Sequence, residues 1–193
     1  SIRTGDKVAL IGNNGIGKST LLRIISGILP SFEGVVDLQS NPYYIPQIFG
    51  QYDHLSIAEA LGIEMKIKAL HQILAGAMTE ENYDLLQDDW SIEERCREAF
   101  HEWQMGDLDL NRQMGDLSGG QKTKVFLSGI AIHQPDLVLL DEPSNHLDAA
   151  SRDVLYKFIA STNKTLIVVS HDRTLLNLLE KTCELHGNGI TTY

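Results

Sequence analysis

The sequence predicts an α/β fold, a mostly parallel sheet flanked by helices with a helical subdomain inserted into it. Three features predict it. Two wholly apolar runs, 137–140 (LVLL) and 166–169 (LIVV), are strand-sized and lie on either side of a helical stretch. Continuous apolar strands joined by a crossover helix belong to a parallel sheet covered on both faces. A third run, Lys7–Ile11 (KVALI), ends at Gly12 and passes through a glycine-rich turn into a helix.

The elements follow in order. Residues 19–28 place Leu21, Leu22, Ile24, Ile25 and Ile28 at helical spacing. Residues 34–38 and 43–45 read as short strands around the turn at Asn41-Pro42. The middle is helical. Residues 56–75 put Ile57, Leu61, Ile67, Leu70 and Leu74 on one broad face, and Ser56 with Glu59 has the spacing of a capping box. Helices over 80–87 and 91–104 follow, the latter with a second candidate box at Ser91 and Glu94.

After Leu117 the α/β rhythm returns. Gly119–His133 is a helix, 137–140 a strand, and Ala149–Ser161 a helix with Val154, Leu155, Phe158 and Ile159 turned inward. Residues 166–170 form a buried strand. Residues 182–186 and 190–193 form a hairpin around Gly187-Asn188-Gly189. The expected organisation is one domain over 1–193, with 1–50 and 117–193 as α/β core and 51–116 as the helical subdomain.

Composition narrows the function. No apolar run is long enough to cross a bilayer. With only Cys96 and Cys183, the chain reads as a cytoplasmic protein with reduced thiols rather than a disulfide framework. A formal charge of −10 argues against general binding of a nucleic-acid backbone, and no direct nucleic-acid site is evident. Residues 80–98 hold eight acids against Arg95 and Arg97. That stretch reads as a solvated helical face, with a docking surface for a basic partner as the alternative.

The chemistry lies in three motifs. Gly12-Asn13-Asn14-Gly15-Ile16-Gly17-Lys18-Ser19 matches the phosphate-binding loop GxxxxGK[ST], between a strand and a helix where the motif works. Its backbone N–H groups converge on phosphate oxygens at the positive end of a helix dipole. Lys18 reaches the terminal phosphates, the Ser19 hydroxyl is a hard ligand for Mg²⁺, and Thr20 completes the nucleotide-binding set. Next, 137–142 (LVLLDE) delivers two carboxylates at the carboxyl end of a strand, where α/β sheets bind ligands. Asp141 suits the metal shell, and Glu142 suits a general base or an orienter of water. Finally Leu117-Ser118-Gly119-Gly120-Gln121 is a second anion nest opening a helix. One nucleotide does not need two nests in one subunit, so this one is expected to face a nucleotide held by another copy.

The order of phosphate loop, Gln47 after Tyr44-Ile45-Pro46, LSGGQ, LVLLDEP, Leu147-Asp148 and His171 resembles the ATP-binding cassette superfamily along essentially the whole chain. That resemblance implies a P-loop NTPase cassette fold, ATP and Mg²⁺ as ligands, and ATP hydrolysis between two cassettes. It implies that Gln47 contacts the metal and the attacking water, that Asp148 lies at the cassette interface, and that His171 senses the γ-phosphate. It also implies that Ser118, Gly119, Gly120 and Gln121 touch the nucleotide of the paired cassette.

Three segments resemble the ABC-F branch, whose members lack membrane domains: Ser144-Asn145-His146-Leu147-Asp148, Gln121-Lys122-Thr123-Lys124-Val125 and Val169-Ser170-His171-Asp172-Arg173. Lys124 departs from the branch's commoner arginine. This branch implies a second cassette in the same chain and work on the ribosome. Cassettes also carry strands and an adenine-stacking aromatic before the phosphate loop, and residues 1–11 hold no aromatic. The chain is therefore expected to be an N-terminally truncated cassette from a tandem protein. The rival readings are the ATP-hydrolysing subunit of a membrane transporter and an ATP-gated binding module with little turnover.

Overall fold

In the computed structural model, which describes all residues except Ser1, Phe32 and Asn188, the chain divides into two compact units. One comprises Ser1–Gln47 and Pro135–Tyr193, the other Ile48–Gln134.

The first unit starts with β1 (Lys7–Ile11), α1 (Lys18–Ile25) and β2 (Tyr43–Ile45). The second contributes α2 (Ile57–Ala60), α3 (Glu64–Leu74), α4 (Glu80–Leu86), α5 (Ile92–Glu102) and α6 (Gly119–His133). The chain then returns to the first unit through β3 (Leu137–Asp141), α7 (Ala149–Ser161), β4 (Thr165–Val169), α8 (Arg173–Leu176), β5 (Lys181–His186) and β6 (Gly189–Thr192).

The six strands form one sheet in the order β2-β3-β4-β1-β5-β6, parallel except for the terminal β5–β6 hairpin. The centre is dry on both faces, because alternate residues of β4 pack to opposite sides and Leu166, Ile167, Val168 and Val169 are all buried. On one face Leu22 of α1 joins Leu10, Leu139, Ile167 and Val169 in a single cluster. Lys7, though inside β1, carries its ammonium to the Ala160 carbonyl at the end of α7 (3.0 Å). That carbonyl is one that a helix terminus leaves unpaired.

In the second unit α6 is apolar nearly all round, with Val125, Phe126, Leu127, Ile130 and Ile132 buried. A helix of that kind must be surrounded. Phe126 stacks on Phe49 (centroids 5.3 Å apart) and meets Tyr52 at 4.9 Å, while the Ser128 hydroxyl reaches back to Ala99 of α5. The expected boundary at 117 is thus corrected: α6 packs within the helical unit, which runs to Gln134.

Other expectations are corrected too. Residues 34–38 form no strand: among the described residues they have no pairing partner, and Val35 is 93% exposed. The single helix over 56–75 is two, broken at Gly62 (φ +69), although the Ser56–Glu59 capping box forms as expected. The box at Ser91 does not form. Its backbone is nearly helical, and its hydroxyl instead accepts from Arg95 (3.3 Å). Asn188, expected in the turn of the closing hairpin, lies outside the described residues.

Part of the acidic stretch serves the fold. Asp89 takes both oxygens to Arg95 (2.9 and 2.7 Å) and lies 3.5 Å from Lys66. Burial would raise its carboxyl, but these two cations hold it below the ordinary value. Glu93 pairs with His71 at 2.7 Å. These contacts engage the two acids within the fold, so Asp89 is not part of a solvated face and neither acid is free for a basic partner.

Candidate active site

Strand order builds the site. Because β2, β3, β4 and β1 are parallel neighbours, their carboxyl ends share one edge of the sheet. That edge carries the segment leading to Gln47, the pair Asp141-Glu142, the pair Ser170-His171, and the phosphate loop. Open α/β sheets bind their ligands at such an edge.

The loop leaves β1 at Gly12, whose φ of +149° and closeness to β5 both demand glycine. A Cβ there would stand 2.6 Å from the Leu185 carbonyl oxygen. Gly12→Ala is therefore expected to destabilise the fold by about 2 kcal/mol and lower the melting temperature by roughly 5 °C. A thermal melt matching the unsubstituted chain would refute the close approach. Lys18 folds back over the loop, its ammonium 2.8 Å from the Gly12 carbonyl and 3.1 Å from that of Asn13. The loop's own backbone thus holds the cation at its centre.

Ser19, one residue on, donates its hydroxyl to Asp141 Oδ1 (3.1 Å), and Asp141 is 1% exposed. A hydroxyl and a buried carboxylate converging this closely suit a hard cation such as Mg²⁺, which keeps several waters and takes few protein ligands. Among the described residues no group of three or more His, Cys, Asp and Glu could hold a metal. A nucleotide-borne cation does not need one.

Glu142 sits with φ +50°, in the left-handed region that side chains other than glycine's seldom occupy. Its backbone N–H donates to Val169 across the sheet (2.8 Å), and its carboxylate accepts from the His171 N–H (3.2 Å). The His171 ring lies 3.5 Å from the same carboxylate and is itself largely exposed. Burial pushes the Glu142 carboxyl above its ordinary value, the nearby Asp141 adds to this, and His171 and Lys18 pull it back. A buried carboxyl tuned this way is suited to take a proton from water.

The structure therefore brings Lys18, Ser19, Asp141, Glu142 and His171 together. Gln47 is exposed just beyond β2 and is not hydrogen-bonded to them. Asp148 caps α7, accepting from the Ser151 N–H (2.8 Å). In the helical unit Ser118 and Gln121 form a reciprocal capping box at the start of α6 (3.3 and 2.9 Å), leaving Ser118, Gly119 and Gln121 exposed.

Two residues from the segments 121–125 and 169–173 also have local work. Lys122 pairs with Asp53 (2.5 Å), and Asp172 caps α8 while accepting from the Tyr156 hydroxyl. Sequence reasoning missed Tyr44, whose hydroxyl donates to Asp141 Oδ2 (3.2 Å). Burial pushes that phenol up to about 12 against the pull of Arg23, so it stays a donor. The only sequence signal was its place in the short strand at 43–45.

The family model described as "ABC transporter" matches residues 1–145. The chain belongs to the ABC transporter family. Cassettes of this family are ATPases, and the chain has their fold. It is similar to the ABC transporter F family member 2 of Arabidopsis thaliana, with 31% identity over all of this chain and 26% of that protein. It is also similar to the zinc transport system ATP-binding protein TroB of Treponema pallidum, with 34% identity over 85% of this chain and 61% of that protein. Among solved structures, the dimeric post-hydrolysis state of the cassette MJ0796 bound to ADP and Pi aligns with a TM-score of 0.71. That alignment covers 96% of this chain and 83% of the other, at 24% identity. The cassette spans 31% to 40% of the length of three further curated relatives. No helix among its described residues is long and apolar enough to cross a membrane.

Proposed function

We propose that this cassette binds Mg-ATP and hydrolyses it as one member of a cassette pair, within an F-type protein that acts on the ribosome. The observation that carries the chemistry is the Glu142 carboxylate, buried at the sheet edge and held by the His171 N–H beside the Ser19–Asp141 pair. In this reading the loop N–H groups and Lys18 bind the phosphates. Glu142 orients the attacking water and takes its proton, and His171 and Gln47 report the γ-phosphate. Ser19, Asp141 and Gln47 would hold the Mg²⁺, which when bound neutralises charge on the phosphate oxygens.

The exposed nest at Ser118 is then meant for the nucleotide of a second cassette, and the dimeric state of the structurally similar MJ0796 supports such pairing. The F-type branch is supported by the segments 121–125, 144–148 and 169–173 and by the Arabidopsis relative. The second reading, an energy-coupling transporter subunit, is favoured by the similarity to TroB.

The test is to express the complete protein with Glu142→Gln, which should arrest it with ATP bound, and to fractionate lysate in the presence of ATP. Co-sedimentation with ribosomes is expected. Stable co-purification with a membrane permease would decide for the transporter reading.

A further inference from the structure

We propose that Tyr44 is a positioning residue for the Asp141 carboxylate and, through it, for the divalent cation that accompanies the nucleotide; this rests on the Mg-ATP reading above. Tyr44 lies opposite Leu139 in the β2–β3 register. Asp141 is two residues further along β3, so it projects from the same face of the sheet as Leu139. The Tyr44 ring packs against the cluster of Leu10, Leu22, Leu139, Ile167 and Val169. Its hydroxyl is thereby fixed by packing and ends 3.2 Å from Asp141 Oδ2. The opposite oxygen, Oδ1, faces the Ser19 hydroxyl at 3.1 Å.

The carboxylate is thus held in one orientation from two sides, one oxygen on the loop and the other on the neighbouring strand. When the Ser19 oxygen serves a cation, Tyr44 is the donor that keeps Oδ1 aimed at the loop. Arg23 lies in the last turn of α1, and its charge acts on the Tyr44 phenol. A guanidinium can only donate, so it leaves the phenol proton available to Asp141. Donors that orient a ligating carboxylate tune cation affinity although they never touch the cation.

The experiment follows binding of a fluorescent ATP analogue to the chain, first in EDTA and then across a Mg²⁺ titration, with melting curves as the check on folding. In Tyr44→Phe the ring and its packing stay and only the hydroxyl is lost. The expected result is unchanged affinity in EDTA and a Mg²⁺ half-saturation point raised about tenfold. Arg23→Gln leaves Tyr44 in place and should shift that point in the same direction by less; it also carries the test if Tyr44→Phe fails to fold. An unshifted Mg²⁺ half-saturation in folded protein overturns the proposal. Equal weakening in EDTA and in Mg²⁺ also overturns it, because that is the signature of a merely structural residue. If the unsubstituted chain shows no Mg²⁺-promoted binding, the Mg-ATP reading fails and takes this assignment with it.

Discussion

Glu142→Gln is expected to lower ATP turnover by about a hundredfold or more while ATP binding is retained, the scale on which a lost acid–base group is felt. The amide is the right replacement because it separates chemistry from architecture. Glutamine keeps an oxygen to accept the His171 N–H, now 3.2 Å from the carboxylate. It keeps the side-chain length and meets the same backbone cost at φ +50°. It cannot accept a proton from water. The melting temperature should therefore stay within a degree or two, and affinity for nucleotide should be unchanged or tighter. Single-turnover phosphate release by the complete protein is the decisive measurement. Release at the normal rate would remove Glu142 from the reaction.

How far the sequence could be read depends on what stabilises each element. Lys7–Ile11, Gly119–His133 and Ala149–Ser161 match the expected bounds because their signals are local. They are apolar periodicity together with caps at Ser118 and Asp148 whose bonds form within one turn. The run at 34–38 failed for the opposite reason. Val35 and Val36 favour extended backbone, but a strand is completed only by a neighbour, and none pairs with it among the described residues. The allegiance of α6 was misjudged because its entry follows a loop motif while its bulk is decided by burial, with Val125 to Ile132 packed inside the helical unit.

The candidate site divides the same way. The phosphate loop and the Asp-Glu pair are contiguous in sequence and announce themselves. That Asp141, Glu142 and His171 lie on one edge follows from the strand order β3-β4-β1, which no single segment encodes. Tyr44 was invisible for that reason: its partner is 97 residues away, and a tyrosine in a strand ordinarily signals packing alone.

The companion expectation is that Lys18→Ala weakens nucleotide binding at least about a hundredfold, a loss of roughly 2.7 kcal/mol. Two effects add. In the proposed reading the ammonium is the main cation for the phosphates, and it also bonds the carbonyls of Gly12 and Asn13 (2.8 and 3.1 Å). Those two bonds tie Lys18 to the start of the loop and help hold the loop's shape. Removing the cation therefore costs both the charge and the shape of the cradle. Arginine should not restore binding, because a planar guanidinium cannot reproduce a compact ammonium seated between two carbonyls. The fold should survive, since Leu22 and the sheet cluster that anchor α1 are untouched. Titration of a fluorescent ATP analogue, paired with a thermal melt, checks both halves. Lys18→Ala with ordinary affinity would mean that the loop N–H groups alone hold the phosphates, and that the lysine's place at the centre of the loop is structural.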